Sequence, residues 1–114
     1  MKIQSIGVDI EEIGRFKKMS YSRNRNFYEK IFTGGEIAYC LSKDDPYSHF
    51  AARFAAKEAV IKALGSTVYR VKGVEIVNNK NGAPLVKIKK LKSKILISLS
   101  HTKDYAIAFA LWFN

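Results

Sequence analysis

The chain has 114 residues, 47% hydrophobic and 12% aromatic, which suits a single domain over 1–114 with a small core. Twenty Lys and Arg against ten Asp and Glu leave a net charge of +10 and call for an anionic partner; nucleic acid, a membrane surface, a phosphorylated cofactor and an acidic protein all satisfy that. The single cysteine, Cys40, excludes an intramolecular disulfide, and the longest apolar stretch, Tyr105 to Phe113, is about half of the ~20 residues of a spanning helix; no membrane span is expected, and the cytoplasm is the default location.

Residues Ile3 to Ile10 alternate, with Ile6, Val8 and Ile10 on one side and Ser5, Gly7 and Asp9 on the other, the pattern of a half-buried strand with Asp9 at its end. A short helix is predicted over Glu12 to Lys18, and Tyr21 to Asn26 reads as a loop. Thr33 with Glu36 fits a capping box that starts a second helix. Lys43 to Tyr47 reads as a turn, Phe50 to Leu64 as the strongest helix, and Gly65 as its stop. Asn81-Gly82 predicts a hairpin between Val74–Val77 and Pro84–Ile88, and Ile95 to Leu99 with Tyr105 to Phe113 a further strand pair. The fold class is α+β, helices with a mainly antiparallel sheet.

On the long helix Phe54, Glu58 and Lys62 share one face, while Ala52, Ala56, Ala59 and Ala63 form a small-residue face that permits close packing. Taken alone, Glu58 and Lys62 are an ordinary i,i+4 ion pair, and Arg53 with Lys57 a solubilising basic face. Phe50 and Phe54 read as core, and His49 as structural. Asn81-Gly82 is first of all a turn, and Pro84 a strand-start proline.

Five segments fall together in order: Ile6-Gly7-Val8-Asp9-Ile10, Arg15-Phe16, the Arg53 to Gly65 helix, Asn78 to Pro84, and Ser98-Leu99-Ser100-His101. This set, above all Gly7-Val8-Asp9 with Phe54 to Lys62, resembles the small bacterial holo-acyl-carrier-protein synthases of the 4′-phosphopantetheinyl transferase superfamily. The resemblance implies transfer of 4′-phosphopantetheine from coenzyme A to a serine of apo-acyl carrier protein, with release of adenosine 3′,5′-bisphosphate, in support of fatty acid biosynthesis. It further implies that Asp9 and Glu58 ligate magnesium, an ion satisfied by one or two carboxylates plus water and phosphate. By the same likeness Lys62 contacts the phosphates and stabilises or protonates the leaving group, while Glu58 accepts the serine proton directly or through water on the metal. Arg53, Lys57 and Gly65 are assigned to the coenzyme A phosphates, His101 and Thr102 to the nucleotide 3′-phosphate, and Gly82 and Pro84 to the adenine. Arg15 is assigned to docking an acidic carrier protein, with the loop arginines Arg23 and Arg25 as weaker candidates, and a homotrimer with active sites at subunit interfaces is implied.

Two departures from the family pattern stand out. Glu11 replaces a residue that is more often apolar, and Gly65-Ser66-Thr67 replaces Gly-Thr-Gly. A nucleic-acid module would explain the charge and the interleaved Tyr21, Phe27, Tyr28 and Tyr39, but neither Asp9 nor Glu58, and no recognition motif accompanies it. A degenerate relative kept as a scaffold sits poorly with intact Asp9, Glu58 and Lys62.

Overall fold

A computed structural model describes residues 2–65, 69–91 and 93–114. Strand β1 (Ile3–Glu12) leads into helix α1 (Ile13–Lys17); a 3-10 turn (Tyr21–Arg23) follows, then α2 (Arg25–Ile31), α3 (Gly34–Leu41) and α4 (Pro46–Leu64). The rest is β2 (Glu75–Asn78), β3 (Pro84–Lys87), β4 (Lys94–His101) and β5 (Tyr105–Phe113). The stretch read as a loop, Tyr21 to Asn26, is thus mostly helical turn and the start of α2. The capping box forms as expected: Thr33 Oγ1 accepts from the Glu36 amide, and Glu36 Oε1 accepts from the Thr33 amide at 2.8 Å. Helix α4 begins four residues earlier than predicted, because Asp45 caps it and Pro46, at its first turn, needs no amide partner. Gly65 ends it at φ 62°.

The last strand is the middle one. The main sheet runs β1-β5-β4, antiparallel throughout, and β2 and β3 form a separate hairpin. That hairpin turns through five residues rather than two, with Gly82 supplying the left-handed position at φ 86°. Helix α4 lies across the inner face of the sheet, where Ala106, Ala108 and Ala110 of β5 are fully buried. Gly7 of β1 faces it too, and a Cβ there would stand 2.1 Å from the Ala59 carbonyl oxygen and 2.7 Å from the Ala63 nitrogen. The small-residue helix face read from the sequence is therefore met by a small-residue strand face. Beyond the sheet, Tyr28, Phe32 and Phe50 form a fully buried aromatic cluster with Phe16, and the Tyr28 hydroxyl donates to the Met19 carbonyl at 2.6 Å. Phe50 is core as expected, and half-buried Phe54 packs on Phe16.

The alternation of β1 forms as read, with the two sides that the sequence left unassigned now told apart. Gly7, Asp9 and Glu11 turn inward, whereas Ile6, Val8 and Ile10 are exposed on the outer face. Cross-strand Ile107 and Phe109 of β5 and nearby Leu96 of β4 extend that outer apolar surface. Asp9 also lies within the strand, paired with Ala108, rather than at its end.

Replacing Gly7 by Ala drives a methyl into helix backbone, which cannot rotate away. Gly7→Ala is expected to lower stability by about 3 kcal/mol or more, read by urea unfolding followed by circular dichroism.

Candidate active site

Three carboxylates and one lysine converge where β1 crosses α4. Lys62 donates to Asp9 Oδ1 at 3.0 Å and to the Val8 carbonyl at 3.0 Å. The lysine thus reaches across to the strand, and among the described residues no Glu58–Lys62 ion pair forms. Asp9 Oδ2 is buried with no hydrogen-bond partner among the described residues. Burial raises the Glu58 pKa above the usual carboxylate value, Asp9 adds to the rise, and Lys62 opposes it.

Glu11, noted in the sequence only for packing, is the third carboxylate, 9% exposed and two residues along the same strand face as Asp9. Its pKa is pushed up to about 8. Burial is the main cause, a hydrogen bond to Asp9 and the Asp9 and Glu58 charges add to it, and Arg15 pulls it down. Glu11 Oε1 accepts from Arg15 at 3.3 Å. The only early signal was a carboxylate at the i+2 position of an inward-facing strand.

Lys57 requires a correction. It is fully buried and bonded to Glu36 Oε1 at 2.6 Å, so it cannot present its charge to a coenzyme. Desolvation lowers its pKa, and Glu36 opposes that. Its position on a basic-looking helix face concealed a partner 21 residues away.

Arg53 is 4% exposed, its guanidinium carbon lies 3.9 Å from the Tyr39 ring centroid, and Nη2 donates to Asn78 Oδ1. Among the described residues its buried Nε has no partner, and no carboxylate lies within ion-pair distance. Gly82 and Pro84 belong to the hairpin that Asn78 joins to Arg53. At 1.5 Å per residue Arg53 sits about 7 Å along the helix from Glu58.

His101 and Thr102 lie elsewhere in the single chain. They border a groove of about 410 Å³ with Asp45 and Ser48, at the opposite end of α4 from Lys62 and Gly65. His49 packs edge-on to Tyr39 at 5.9 Å, and burial lowers its pKa, as suits a structural side chain. Arg15 is largely exposed beyond its contact with Glu11. Arg23 closes the exposed 3-10 turn, and Arg25 stacks over Tyr21 with 5.3 Å to the ring centroid. Of the Gly65-Ser66-Thr67 departure, Ser66 and Thr67 lie outside the described residues.

A strand carboxylate bonded to a helix lysine, with a helix carboxylate one turn before that lysine, makes a centre suited to a cation and to phosphate. Residues 5–110 match the model of the 4′-phosphopantetheinyl transferase superfamily, and the chain belongs to that family. Within it, the chain is similar to the holo-[acyl-carrier-protein] synthase of Thermodesulfovibrio yellowstonii, 47% identical over 110 residues that cover 96% of this chain and 97% of the relative. The crystal structure of a holo-(acyl-carrier-protein) synthase from Bacillus anthracis in complex with CoA (3′,5′-ADP) superposes with a TM-score of 0.87 at 29% identity, covering 100% of this chain and 99% of that one. The enzyme of the same name from Neisseria meningitidis gives 0.86 at 26% identity, with 98% and 99% covered. The α+β class expected from the sequence is thereby the fold of these enzymes.

A folded-state pKa above the unfolded value means that Glu11 contributes stability fully present below pH 4.5 and lost as the pH rises through about 8. Without divalent cations, Glu11→Gln is expected to flatten the decline of stability between those limits and to exceed the parent at pH 8 by on the order of 2 kcal/mol, read by urea unfolding at pH 5 and 8.

Proposed function

We propose that the chain transfers the 4′-phosphopantetheine arm of coenzyme A to a serine of apo-acyl carrier protein in the cytoplasm, in support of fatty acid biosynthesis. The observation that carries this reading is Lys62 bonded to Asp9 beside Glu58 in a chain of this superfamily.

Asp9 and Glu58 fit a magnesium ion. Both offer hard oxygen donors, one Asp9 oxygen is buried with no partner among the described residues, and Lys62 already answers the site's attraction for positive charge. When bound, magnesium would supply charge stabilisation to the coenzyme A pyrophosphate.

The remaining steps fall to the chain's own groups. Glu58, made more basic by burial and by Asp9, accepts the serine proton. The serine oxygen bonds to the β-phosphorus as the bond to the bridging oxygen breaks, and adenosine 3′,5′-bisphosphate leaves. Lys62 balances the charge on that leaving phosphate and can protonate it. Arg53, a buried cation with no carboxylate partner among the described residues, is suited to a coenzyme phosphate, with Gly82 and Pro84 toward the adenine. Arg15 and Arg23 present exposed positive charge to an acidic carrier.

A homotrimer with coenzyme A at subunit interfaces is part of the same reading. The exposed Ile6, Val8, Ile10, Leu96, Ile107 and Phe109 support association. So does the separation of His101 and Thr102 from Asp9, Glu58 and Lys62, since a neighbouring copy would complete the set.

Two measurements test the reading. Incubation with coenzyme A, magnesium and an apo carrier protein should add about 340 Da to the carrier by intact mass, and Asp9→Ala and Glu58→Gln should each reduce the rate by about 100-fold or more with the fold retained. Near-normal rates in either variant rule out this metal site. Light scattering should give a trimer mass for the parent and a smaller mass for Phe109→Asp; a parent monomer mass independent of concentration removes the trimer.

A further inference from the structure

Asn78, a residue outside the catalytic cluster, links two elements assigned to the nucleotide. Its Oδ1 accepts from Arg53 Nη2, and its Nδ2 donates to the Gly82 carbonyl at 2.8 Å. Donor and acceptor partners on opposite sides allow only one orientation of the carboxamide. Within the turn, Asn79 Oδ1 accepts from the amides of Asn81 at 2.9 Å and Ala83 at 3.0 Å, and the Gly82 amide donates to the Asn79 carbonyl at 3.0 Å. The turn is therefore braced internally, and Asn78 bonds its Gly82 carbonyl and Arg53 of the helix carrying Glu58 and Lys62.

The choice of a neutral partner matters because of the state of Arg53. Tyr39 stacks on it, nearly all of it is buried, and Nε has no partner among the described residues. An acidic residue at position 78 would hold the guanidinium equally well but cancel its charge. The carboxamide orients the guanidinium and leaves its full positive charge for an incoming anion.

We propose that Asn78 is a positioning residue for the nucleotide end of coenzyme A, aiming Arg53 with its charge intact and fixing the turn that carries Gly82 and Pro84 to α4. This rests on the reading of Arg53, Gly82 and Pro84 as coenzyme contacts. Asn78 bonds to Arg53 and Gly82 and, among the described residues, to none of Asp9, Glu58 and Lys62, so its loss should act on nucleotide affinity and not on the chemical step.

The test compares the parent, Asn78→Ala and Asn78→Asp. Asn78→Ala should raise the KM for coenzyme A and the Kd of adenosine 3′,5′-bisphosphate, measured by calorimetry, by about tenfold, with kcat within about twofold and the carrier KM unchanged. Asn78→Asp keeps an acceptor for Arg53 but adds a neutralising charge and loses the bond to Gly82, so it should weaken the bisphosphate at least as much while melting no lower than Asn78→Ala. Bisphosphate affinity at the parent value in Asn78→Asp overturns the proposal, as does a loss of kcat that tracks melting temperature, the mark of a merely structural role. The two failures read differently: a parent that transfers no phosphopantetheine removes the transferase reading, whereas equal bisphosphate affinity in parent and Asn78→Ala removes this one.

Discussion

Everything at the site depends on how closely β1 can lie on α4. Gly7 meets helix backbone with no room for a side chain, and the buried alanines of β5 continue that thin face. Interiors are packed tightly enough that a single methyl is felt, so this contact sets the height of the strand above the helix. Asp9 is two residues farther along the same face. Only at this separation does a Lys62 amine one turn beyond Glu58 reach Asp9 and the Val8 carbonyl at 3.0 Å each.

Two lysines of α4, five residues apart, illustrate how the fold divides its charge. Lys62 keeps its amine at the surface, paired with Asp9. Lys57 is sealed against Glu36, whose oxygens also accept from the amides of Thr33 and Ile76 at 2.8 Å each. One carboxylate thereby joins the start of α3, the middle of α4 and strand β2. Burying such a pair is tolerable only because the remaining lone pairs are filled; an uncompensated charge in its place would cost about 3–5 kcal/mol.

What was legible in the sequence was what local chemistry controls. The Thr33–Glu36 capping box, the Gly65 stop and the strand pairs follow from interactions within a few residues. The motif set placed Asp9, Glu58 and Lys62 together because those residues carry the resemblance. Three things were hidden, each for a tertiary reason. The sequence shows that β1 alternates but not which side a helix covers, since small residues suit a close helix as well as large ones suit a core. Lys57 looked like a surface cation because Glu36 is remote in sequence. Glu11 and Asn78 gain their roles only from neighbours that the strand and the hairpin bring to them.

The position of β5 between β1 and β4 carries a consequence for the order of events in folding. Ile3 pairs with Phe113 and Ile10 with Ile107, so the strand bearing Asp9 has its hydrogen-bonding partner almost the whole chain away. Such contacts must close large loops before they contribute stability, and folding dominated by them is slow. The helical region from α1 to α4, rich in near-neighbour contacts, can gather first, while β1 stays without its ladder until β5 arrives. During synthesis the strand that holds Asp9 is made early, and the strand that completes its ladder is made last of the described elements.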